Sequence, residues 1–350
     1  MISINGLCPA GEYRCRMPEI ITFTPSPAID VSTSTPRLEP NHKLRCRALR
    51  RDPGGGGINV ARVARRLGAD VEAIYPSGGH TGALLDRLLA EEGVATRPIP
   101  AGQDTRENFY GFEEEIGQQF KFILPGPELS EQVQADCLTA VMHGPAHPGF
   151  VVFSGGLPAG APRDFYARAA RTAKDSGAKV VIDSSGEPLA AALDEGVHLF
   201  KPSLRELEGL LQQSLPDEAD WLNACVELVA TGKAETVALS LGEQGALLVN
   251  REHAWRGYPP KLVALSSIGA GDSFLAAMLV SLVAGASAPE ALRQAIAAGG
   301  AALLAPGTEL ARLADIGRLH DEVLIHPLSR PTITRARAKQ TTSADSAVTV

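Results

Sequence analysis

Positive charge and aromatic side chains are both scarce in this sequence. The 33 lysines and arginines are outnumbered by 40 aspartates and glutamates, so the formal net charge is −7, and aromatic residues make up only 5% of the 350 residues. Nucleic acids and membrane surfaces select a basic face, and single strands also need aromatic rings for stacking. We therefore expect neither a nucleic-acid nor a membrane partner, although a local basic pocket for a phosphate is compatible with this composition.

Cysteines and long apolar runs are also few. The five cysteines form no C-x-x-C pair, a spacing that predicts neither a zinc site nor a disulfide framework. No apolar run reaches the roughly 18 residues that span a bilayer, and the first residues lack the segments of a signal peptide. These observations predict a cytoplasmic protein in a reducing compartment. The cysteines are Cys8, Cys15, Cys46, Cys137 and Cys225.

Motifs of several large enzyme classes are missing. The sequence has no G-x-x-x-x-G-K-[ST] motif, which excludes a P-loop kinase of the usual type. It also lacks H-E-x-x-H, G-x-S-x-G and the H-R-D set of protein kinases.

Short β-branched runs alternate along the chain with longer segments of helical periodicity. Almost wholly apolar runs such as Val180–Asp183 suit parallel strands that are covered on both faces. The alternation predicts a doubly wound, mostly parallel α/β sheet with helices on both faces and with ligands at the carboxyl ends of its strands. The predicted strands are Ile20–Thr24, Phe150–Phe153, Val180–Asp183, His198–Lys201, Val237–Leu241 and Ala246–Val249, and the predicted helices include Pro162–Ser176, Leu204–Leu211 and Trp221–Thr231.

Two segments depart from this alternation. His42–Arg47 alternates basic and less polar residues, which predicts a half-exposed strand, and Thr105–Leu124 has strand-like flanks around a polar turn. We expect strands within about residues 31–52 and 103–124 to form a small β-sheet, either as surface hairpins or as a lid over a cleft. Residues 18–328 would form one domain, residues 1–17 a disordered extension and residues 329–350 a disordered tail.

The first glycine motif is Ile268-Gly-Ala-Gly-Asp-Ser-Phe274, followed by an apolar helical run. A helix that starts here would direct unpaired N–H groups at an anion, and Asp272 could take a proton from an attacking hydroxyl. The structural alternative is a glycine turn in which Asp272 caps the helix. The motif alone does not separate the two interpretations.

The second motif is the run Asp52-Pro-Gly-Gly-Gly-Gly-Ile-Asn59, about two hundred residues earlier. Bare glycine backbone can cradle a ligand, and the amide of Asn59 can both donate and accept hydrogen bonds. The alternative is a flexible hinge. The third glycine of the dinucleotide fingerprint is missing, so a nicotinamide oxidoreductase is the weakest hypothesis.

In this order on an α/β chain, the two motifs resemble the signatures of the ribokinase-like (PfkB) family of carbohydrate kinases. The resemblance runs from about Ile20 to about Pro327, and it is strongest to the branch of minor, ribokinase-type 6-phosphofructokinases. Relatives that act on tagatose 6-phosphate or fructose 1-phosphate usually carry a lysine where this chain has Gly56. The stretches that support this branch are Pro25-Ser-Pro-Ala-Ile-Asp30, Lys43-Leu-Arg-Cys46, Thr105-Arg-Glu-Asn108, Ile182-Asp-Ser-Ser-Gly-Glu187 and Ser240-Leu-Gly-Glu-Gln-Gly-Ala246.

The resemblance implies ATP-dependent phosphorylation of fructose 6-phosphate at its 1-hydroxyl, as in glycolysis, with Asp272 as the base. Gly269, Ala270 and Gly271 would form the anion hole. Fructose 1-phosphate and tagatose 6-phosphate remain alternative substrates, and a non-catalytic sugar-phosphate sensor is a third hypothesis. The implied substrate-binding residues are Asp30, Lys43, Arg45, Gly54, Gly55, Asn59, Arg106 and Ser154.

On the nucleotide side, the resemblance implies ATP as co-substrate together with Mg²⁺. Glu206 would act through the water shell of the metal, with Asp183 as a second contributor. Ser203 stands where the family has an asparagine, and Ser203-x-x-Glu206 is also a capping box. A homodimer joined through the lids is also implied. The nucleotide-binding residues would be Lys201, Ser203, Ser240, Gly242, Gly245 and Ser267.

Overall fold

The computed structural model describes residues 19–47, 49–142 and 149–331. The predicted extension 1–17 lies outside these ranges, as does the predicted tail beyond residue 331. Within the described ranges, Cys46 is exposed, Cys137 and Cys225 are buried, and all three are free thiols. No helix in these ranges is both long enough and apolar enough to cross a membrane.

The strands and helices alternate as the sequence predicts. In chain order the strands are β1 (Ile20–Phe23), β2 (Ala28–Thr35), β3 (Arg50–Gly54), β4 (Val71–Ser77), β5 (Ala95–Pro100), β6 (Arg106–Glu113), β7 (Gln118–Phe122), β8 (Phe150–Ser154), β9 (Lys179–Asp183), β10 (Val197–Phe200), β11 (Ala234–Ser240), β12 (Ala246–Asn250), β13 (Ala254–Tyr258) and β14 (Leu324–Leu328). The helices are α1 (Gly56–Arg66), α2 (Gly79–Glu91), α3 (Glu131–Met142), α4 (Phe165–Asp175), α5 (Gly186–Asp194), α6 (Leu204–Leu211), α7 (Glu218–Ala230), α8 (Ala270–Val283), α9 (Ala288–Leu303) and α10 (Leu313–His320).

In the described part of the chain, ten strands form the large sheet in the order β14-β13-β12-β11-β10-β9-β8-β1-β4-β5. The strands from β11 to β5 are mutually parallel, whereas β12, β13 and β14 continue the sheet as antiparallel strands. The chain proceeds outward from β1 in both directions, to β4 on one side and to β8 on the other. This is the topological switch point at which doubly wound sheets bind their ligands.

Two apolar clusters cover the two faces of this sheet. Side chains of successive residues point to opposite faces of a strand, so Ile20 joins one cluster and Ile21 joins the other. Helices α1, α8 and α9 contribute to the first cluster, and α4, α5 and α7 to the second. The predicted doubly wound fold is confirmed.

A second sheet of four described strands has the order β3-β2-β6-β7. It is mixed, because β2 pairs with β6 in parallel while β3 and β7 pair with their neighbours in the antiparallel sense. The hairpin predicted within Thr105–Leu124 corresponds to β6 and β7, with a turn between them. The small sheet carries the row of paired residues Asp52, Asp30 and Asn108 on a single face, since they are register partners across three strands.

The strand predicted over His42–Arg47 is wrong. This segment is exposed and irregular, and its backbone bond to the sheet runs from the Arg47 N–H to the Ser34 carbonyl, over 2.9 Å. Pro36 follows β2 and lacks a backbone donor, so the pairing between β2 and β3 does not continue in this direction. The alternation of basic residues in this segment is that of an exposed loop.

Candidate active site

Three parallel strands place polar side chains at their carboxyl ends next to the switch point. Ser154 ends β8 and is the register partner of Asp183, which ends β9. Lys201 directly follows β10, and its Nζ lies 3.1 Å from Asp183 Oδ1. Burial would lower the pKa of Lys201, but the charge and hydrogen bond of Asp183 outweigh it, so the pKa is raised and the ammonium stays charged. This edge of the sheet therefore holds one buried cation beside a carboxylate.

The helix α8 begins directly above this edge. Its N-cap Gly269 has a φ of 68°, in the left-handed region that favours glycine, and a Cβ there would lie 2.2 Å from Leu310 Cδ2. The first hydrogen bond of the helix joins the Ser273 N–H to the Gly269 carbonyl over 2.8 Å. The N–H groups of Ala270, Gly271 and Asp272 are then left without intrahelical partners. The turn is thus suited to hold an anion.

Asp272 does not cap this helix. The N-terminus of α8 has no side-chain cap, and Asp272 Oδ2 instead accepts a hydrogen bond of 2.9 Å from Asn59 Nδ2, on α1. The two glycine motifs, separated by about two hundred residues in sequence, therefore meet through these side chains. This contact favours the catalytic interpretation of Asp272 over the structural one.

The carboxyl group of Asp272 has an unusual protonation equilibrium. Burial of the carboxylate and then the negative charge of Asp183 raise its pKa to about 7, although the Asn59 hydrogen bond and the Lys201 charge act in the opposite direction. The more distant Asp30 raises it further. A carboxyl group with a pKa near neutrality is poised to accept a proton and release it again.

The glycine run Gly54–Gly57 is packed so tightly that side chains do not fit. A Cβ at Gly54 would lie 2.4 Å from Asp30 Cγ, and a Cβ at Gly56 would lie 2.2 Å from Ser154 Oγ and 3.5 Å from Asp272 Oδ1. Gly55 has a φ of 114°. The flexible-hinge alternative is therefore not supported, because the run packs closely against Asp30 and Ser154.

The resemblance implies a position for Asp30 at the end of the first strand, and this position is wrong. Pro25 and Pro27 terminate β1, and Asp30 lies in β2 of the small sheet. Its Oδ1 accepts a hydrogen bond of 2.9 Å from Asn108 Nδ2, and the side chain is buried. Burial raises the pKa of Asp30, while Asn108 and the charges of Arg62 and Arg106 oppose this effect. A buried carboxylate beside bare glycine backbone is well placed to accept hydrogen bonds from sugar hydroxyls.

Arg106 is the first residue of β6 in the small sheet. Its two terminal nitrogens donate to the carbonyls of Leu124 and Ser26, at 3.0 and 3.1 Å, while its buried Nε has no partner. Burial lowers the pKa of Arg106 even though Asp30 acts to raise it. Lys43 and Arg45 lie on the irregular segment before β3 and are both exposed. Of the three basic residues that the resemblance assigns to the substrate, only Arg106 is half-buried near Asp30 in the single chain.

The predicted nucleotide-side residues lie along neighbouring loops. Ser203 forms an isolated parallel bridge with Ser240, and Gly242 and Gly245 shape the tight turn after β11, each with a positive φ. Ser267 accepts a hydrogen bond of 3.0 Å from Lys121 Nζ, on β7. The lid-like sheet therefore touches the loop that leads into α8.

The capping box predicted for Ser203 and Glu206 is present. Glu206 Oε2 accepts hydrogen bonds from the N–H and Oγ of Ser203, at 2.7 and 2.8 Å, and the Glu206 N–H donates to Ser203 Oγ. Among the described residues, no group of three acidic, histidine or cysteine side chains could hold a metal ion. A Mg²⁺ ion here would therefore depend on phosphate oxygens and water for most of its coordination.

Several residues of the site received no role from the sequence. Asn108 donates a hydrogen bond to Asp30. It could have been identified because it lies two residues after Arg106 on a predicted strand, where both side chains point to the same face. Arg62, three residues after Asn59 on α1, is buried and donates to Asn59 Oδ1 over 3.4 Å. Lys121 is on β7 of the small sheet and Ser267 is in the loop before α8, so no local sequence pattern could have shown their contact.

The fold and the site together define a class of protein. An anion-binding helix N-terminus, a carboxylate with a pKa near 7 and a buried lysine at a sheet switch point are the parts of a phosphoryl-transfer enzyme without a P-loop. The cradle of glycine backbone and buried Asp30 adds a binding place for a polyhydroxylated acceptor.

Comparison with known proteins specifies the class further. The model of the pfkB family of carbohydrate kinases matches residues 24–314, and the chain belongs to this family. It is 41% identical over 325 residues to the ATP-dependent 6-phosphofructokinase isozyme 2 of Mycobacterium tuberculosis, which covers 90% of this chain and 96% of that protein.

Two further relatives bear on the substrate. The structure of phosphofructokinase-2 from Escherichia coli in complex with fructose-6-phosphate superposes with a TM-score of 0.83 at 38% identity, covering 87% of this chain and 99% of that one. The 1-phosphofructokinase of Xanthomonas campestris is 35% identical over 272 residues, covering 76% of this chain and 84% of that protein.

Proposed function

We propose that this protein transfers the γ-phosphoryl group of ATP to the 1-hydroxyl of fructose 6-phosphate, giving fructose 1,6-bisphosphate and ADP. The observation that carries the proposal is the contact between Asp272 and Asn59, because it joins the anion-binding turn to the glycine cradle. A sugar held in the cradle would present a hydroxyl to the one carboxylate that also faces the transferred group. The relatives named as 6-phosphofructokinases support this choice of sugar.

In this mechanism, Asp272 accepts the proton of the attacking hydroxyl as the new oxygen–phosphorus bond forms. The oxygen that bridged the β- and γ-phosphorus atoms leaves with ADP. The free N–H groups at the start of α8 and the ammonium of Lys201 stabilise the negative charge on the transferred group. Asp30 and the backbone of Gly54 and Gly55 orient the sugar, and Ser154 packs against the glycine run at Gly56.

The 6-phosphate of the sugar would bind at Arg106. Its buried Nε has no partner, and a forked guanidinium is well suited to phosphate oxygens. Lys43 and Arg45 are exposed on an irregular segment before β3, so their predicted contribution requires either closure of that segment or a neighbouring subunit. The second possibility agrees with the homodimer that the resemblance implies.

Mg²⁺ is part of the proposal as the partner of ATP. When bound, it would offset the negative charge of the phosphate groups of ATP. Glu206 is held in the capping box through Oε2, which leaves Oε1 available to water molecules of the metal. Asp183 is already paired with Lys201 and is the weaker candidate.

The second candidate function is phosphorylation of fructose 1-phosphate or of a tagatose phosphate. It is favoured by the similarity to the Xanthomonas 1-phosphofructokinase. Gly56 argues against it, because a Cβ at this position would lie 2.2 Å from Ser154 Oγ, so the lysine usual in those relatives would have to displace Ser154.

A coupled assay of ADP release on the purified protein tests the proposal. With ATP and Mg²⁺, we expect the highest kcat/KM for fructose 6-phosphate among fructose 6-phosphate, tagatose 6-phosphate and fructose 1-phosphate. A clear preference for either of the other two sugars would contradict the proposed substrate. Sugar binding without any phosphoryl transfer would instead support the sensor hypothesis.

A further inference from the structure

A buried arginine lies behind the contact between the two glycine motifs. The side chain of Arg62 is inaccessible to solvent, and its Nη2 forms an ion pair with Asp52 Oδ1 at 3.5 Å. Nη1 donates to the carbonyl of Pro53 at 2.7 Å and to Asn59 Oδ1 at 3.4 Å, and Nε and Nη2 donate to Glu92 Oε1 at 2.9 and 2.6 Å. A charge that is fully buried is rare unless its partners require it.

The contact with Asn59 determines which way its carboxamide faces. The side-chain carboxamide of Asn59 lies between Asp272 and Arg62 and contacts both. A carboxylate only accepts hydrogen bonds and a guanidinium only donates them, so the amide nitrogen must face Asp272 and the amide oxygen must face Arg62. Without Arg62, Asp272 alone would select the orientation of the carboxamide, and the amide oxygen would lose its donor.

The contact with Pro53 restrains the start of the glycine run. Four successive glycines have little conformational preference of their own, and Pro53 is the residue directly before them. Nη1 of Arg62 donates to the Pro53 carbonyl and to Asn59 Oδ1, so one guanidinium nitrogen links the sugar cradle to the partner of Asp272.

We propose that Arg62 is a positioning residue for catalysis, which fixes the Asn59 carboxamide against Asp272 and, separately, the Pro53 end of the sugar cradle. Arg62 touches neither substrate nor the reacting atoms, and acts through these two contacts. Glu92 anchors the guanidinium from the end of α2. The role rests on the proposed function to the extent that Asp272 is the catalytic base.

A matched control is available one helical turn further along α1. Arg66 donates to the other oxygen of the same Glu92, with Nη2 at 3.2 Å from Oε2, but it contacts neither Asn59 nor Pro53. Arg66→Met therefore removes a partner of Glu92 without removing either proposed contact. Arg62→Lys keeps the positive charge but cannot donate in the three directions of the guanidinium.

The test measures kcat and KM for Arg62→Lys, Arg62→Met and Arg66→Met, each in the wild-type and the Asn59→Ala backgrounds. We expect either Arg62 variant to lower kcat by roughly 10-fold in the wild-type background, the size usual for coupled neighbours, and by less than about 2-fold once Asn59 is alanine. KM for the sugar should rise in both backgrounds, because the Pro53 contact does not pass through Asn59. Arg66→Met should behave like wild type.

Equal reductions of kcat by Arg62→Lys in the two backgrounds would overturn the proposal, as would an equal effect of Arg66→Met. The assay uses whichever of the three sugar phosphates the wild-type protein turns over fastest, so failure on fructose 6-phosphate counts against the proposed function alone. A crystal structure of Arg62→Lys gives a readout that needs no turnover. An unchanged Asn59–Asp272 contact in that structure would also contradict the role.

Discussion

At the scale of single residues, the chemistry depends on how one carboxyl group is surrounded. Asp272 lies between two carboxylates, Asp183 and Asp30, and two groups that favour its ionised form, Asn59 and Lys201. Asp272 is half-buried, so it keeps partial solvent access while neighbouring protein atoms desolvate its carboxylate. This balance keeps Asp272 close to the point at which it can accept a proton at neutral pH.

The pH dependence of kcat/KM follows from this environment. The base must be ionised to accept a proton, so activity should rise with pH along an acid limb whose midpoint is about 7. Asp183→Asn removes a neighbouring negative charge and leaves the Lys201 charge unpaired, so it should move the midpoint to lower pH. Asp194→Asn, which removes an exposed carboxylate at the opposite end of the sheet, should leave the midpoint unchanged. An acid limb near pH 4 in the wild-type protein would contradict the raised pKa.

Asp272→Asn should separate activity from stability. Removing the base should lower kcat by roughly 100- to 10,000-fold. The pKa of Asp272 is raised in the folded state, so the folded protein loses stability as pH rises from the unfolded value of 3.8 towards about 7, and it does not recover this stability above pH 7. Asp272→Asn removes the ionisable group, so the variant does not lose this stability as pH rises. Its melting temperature should therefore exceed that of wild type at pH 8, and the difference should shrink towards pH 4. A lower melting temperature at pH 8 would refute the account of the buried charge.

At the scale of elements, the sugar cradle requires glycine at Gly54–Gly57, because an added side chain would collide with neighbouring residues. Gly56→Ala would place a methyl group against Ser154, so KM for the sugar should rise and stability should fall. Gly209→Ala is the control, because nothing lies within 4 Å of the added carbon in α6. That change should stabilise the protein by about 0.5–1 kcal/mol without affecting kinetics. Equal kinetic behaviour of the two variants in steady-state assays would show that close packing at Gly56 does not matter.

Regular elements and the existence of a small sheet were predictable from the sequence, but the extent and pairing of its strands were not. The buried strand Phe150–Ser154 and the capped helix Leu204–Leu211 carry strong local signals, an apolar run and a Ser-x-x-Glu box. The strand β2, Ala28–Thr35, lacks such a signal. It is polar because one face lines the site, and its parallel partner β6 comes from a distant part of the chain. Pairing between distant strands has no local periodicity.

Several residues of the site were predictable from the sequence, but the hydrogen bonds between them were not. The two glycine motifs identified Asp272 and Asn59, and the hydrogen bond between them needed the structure. The contribution of Lys43 and Arg45 stays a prediction, because both are exposed in the single chain. The contact of Lys121 with Ser267 joins β7 to the loop before α8, which is distant in sequence, and so could not have been predicted from spacing.

At the scale of the whole molecule, the small sheet has one face towards the site and one face that is apolar and partly exposed. Val31, Phe109 and Phe122 are register partners across three strands, and the rings of Phe109 and Phe122 lie 6.0 Å apart. The exposed fractions of Phe109 and Phe122 are 38% and 51%. An apolar sheet face of this kind favours pairing with a second copy of the chain.

If the homodimer that the resemblance implies forms through this face, the double variant Phe109→Glu/Phe122→Glu should be monomeric, since it places two like charges on the face. Sedimentation velocity measures the change. Ile116→Glu is the control, because Ile116 is 56% exposed but lies in the turn between β6 and β7, away from the apolar face. If Lys43 and Arg45 act across the interface, the monomer should also have a higher KM for the sugar. A wild-type protein that sediments as a monomer at all concentrations would rule out this role of the lid.

The most direct test of the whole account is to identify the product. Phosphorus NMR of a reaction with fructose 6-phosphate, ATP and Mg²⁺ should show a new phosphomonoester at carbon 1 that forms together with ADP, and the Asp272→Asn protein should not produce it at a comparable rate. Phosphorylation of fructose 1-phosphate with none of fructose 6-phosphate, or product formation by Asp272→Asn at the wild-type rate, would contradict the account.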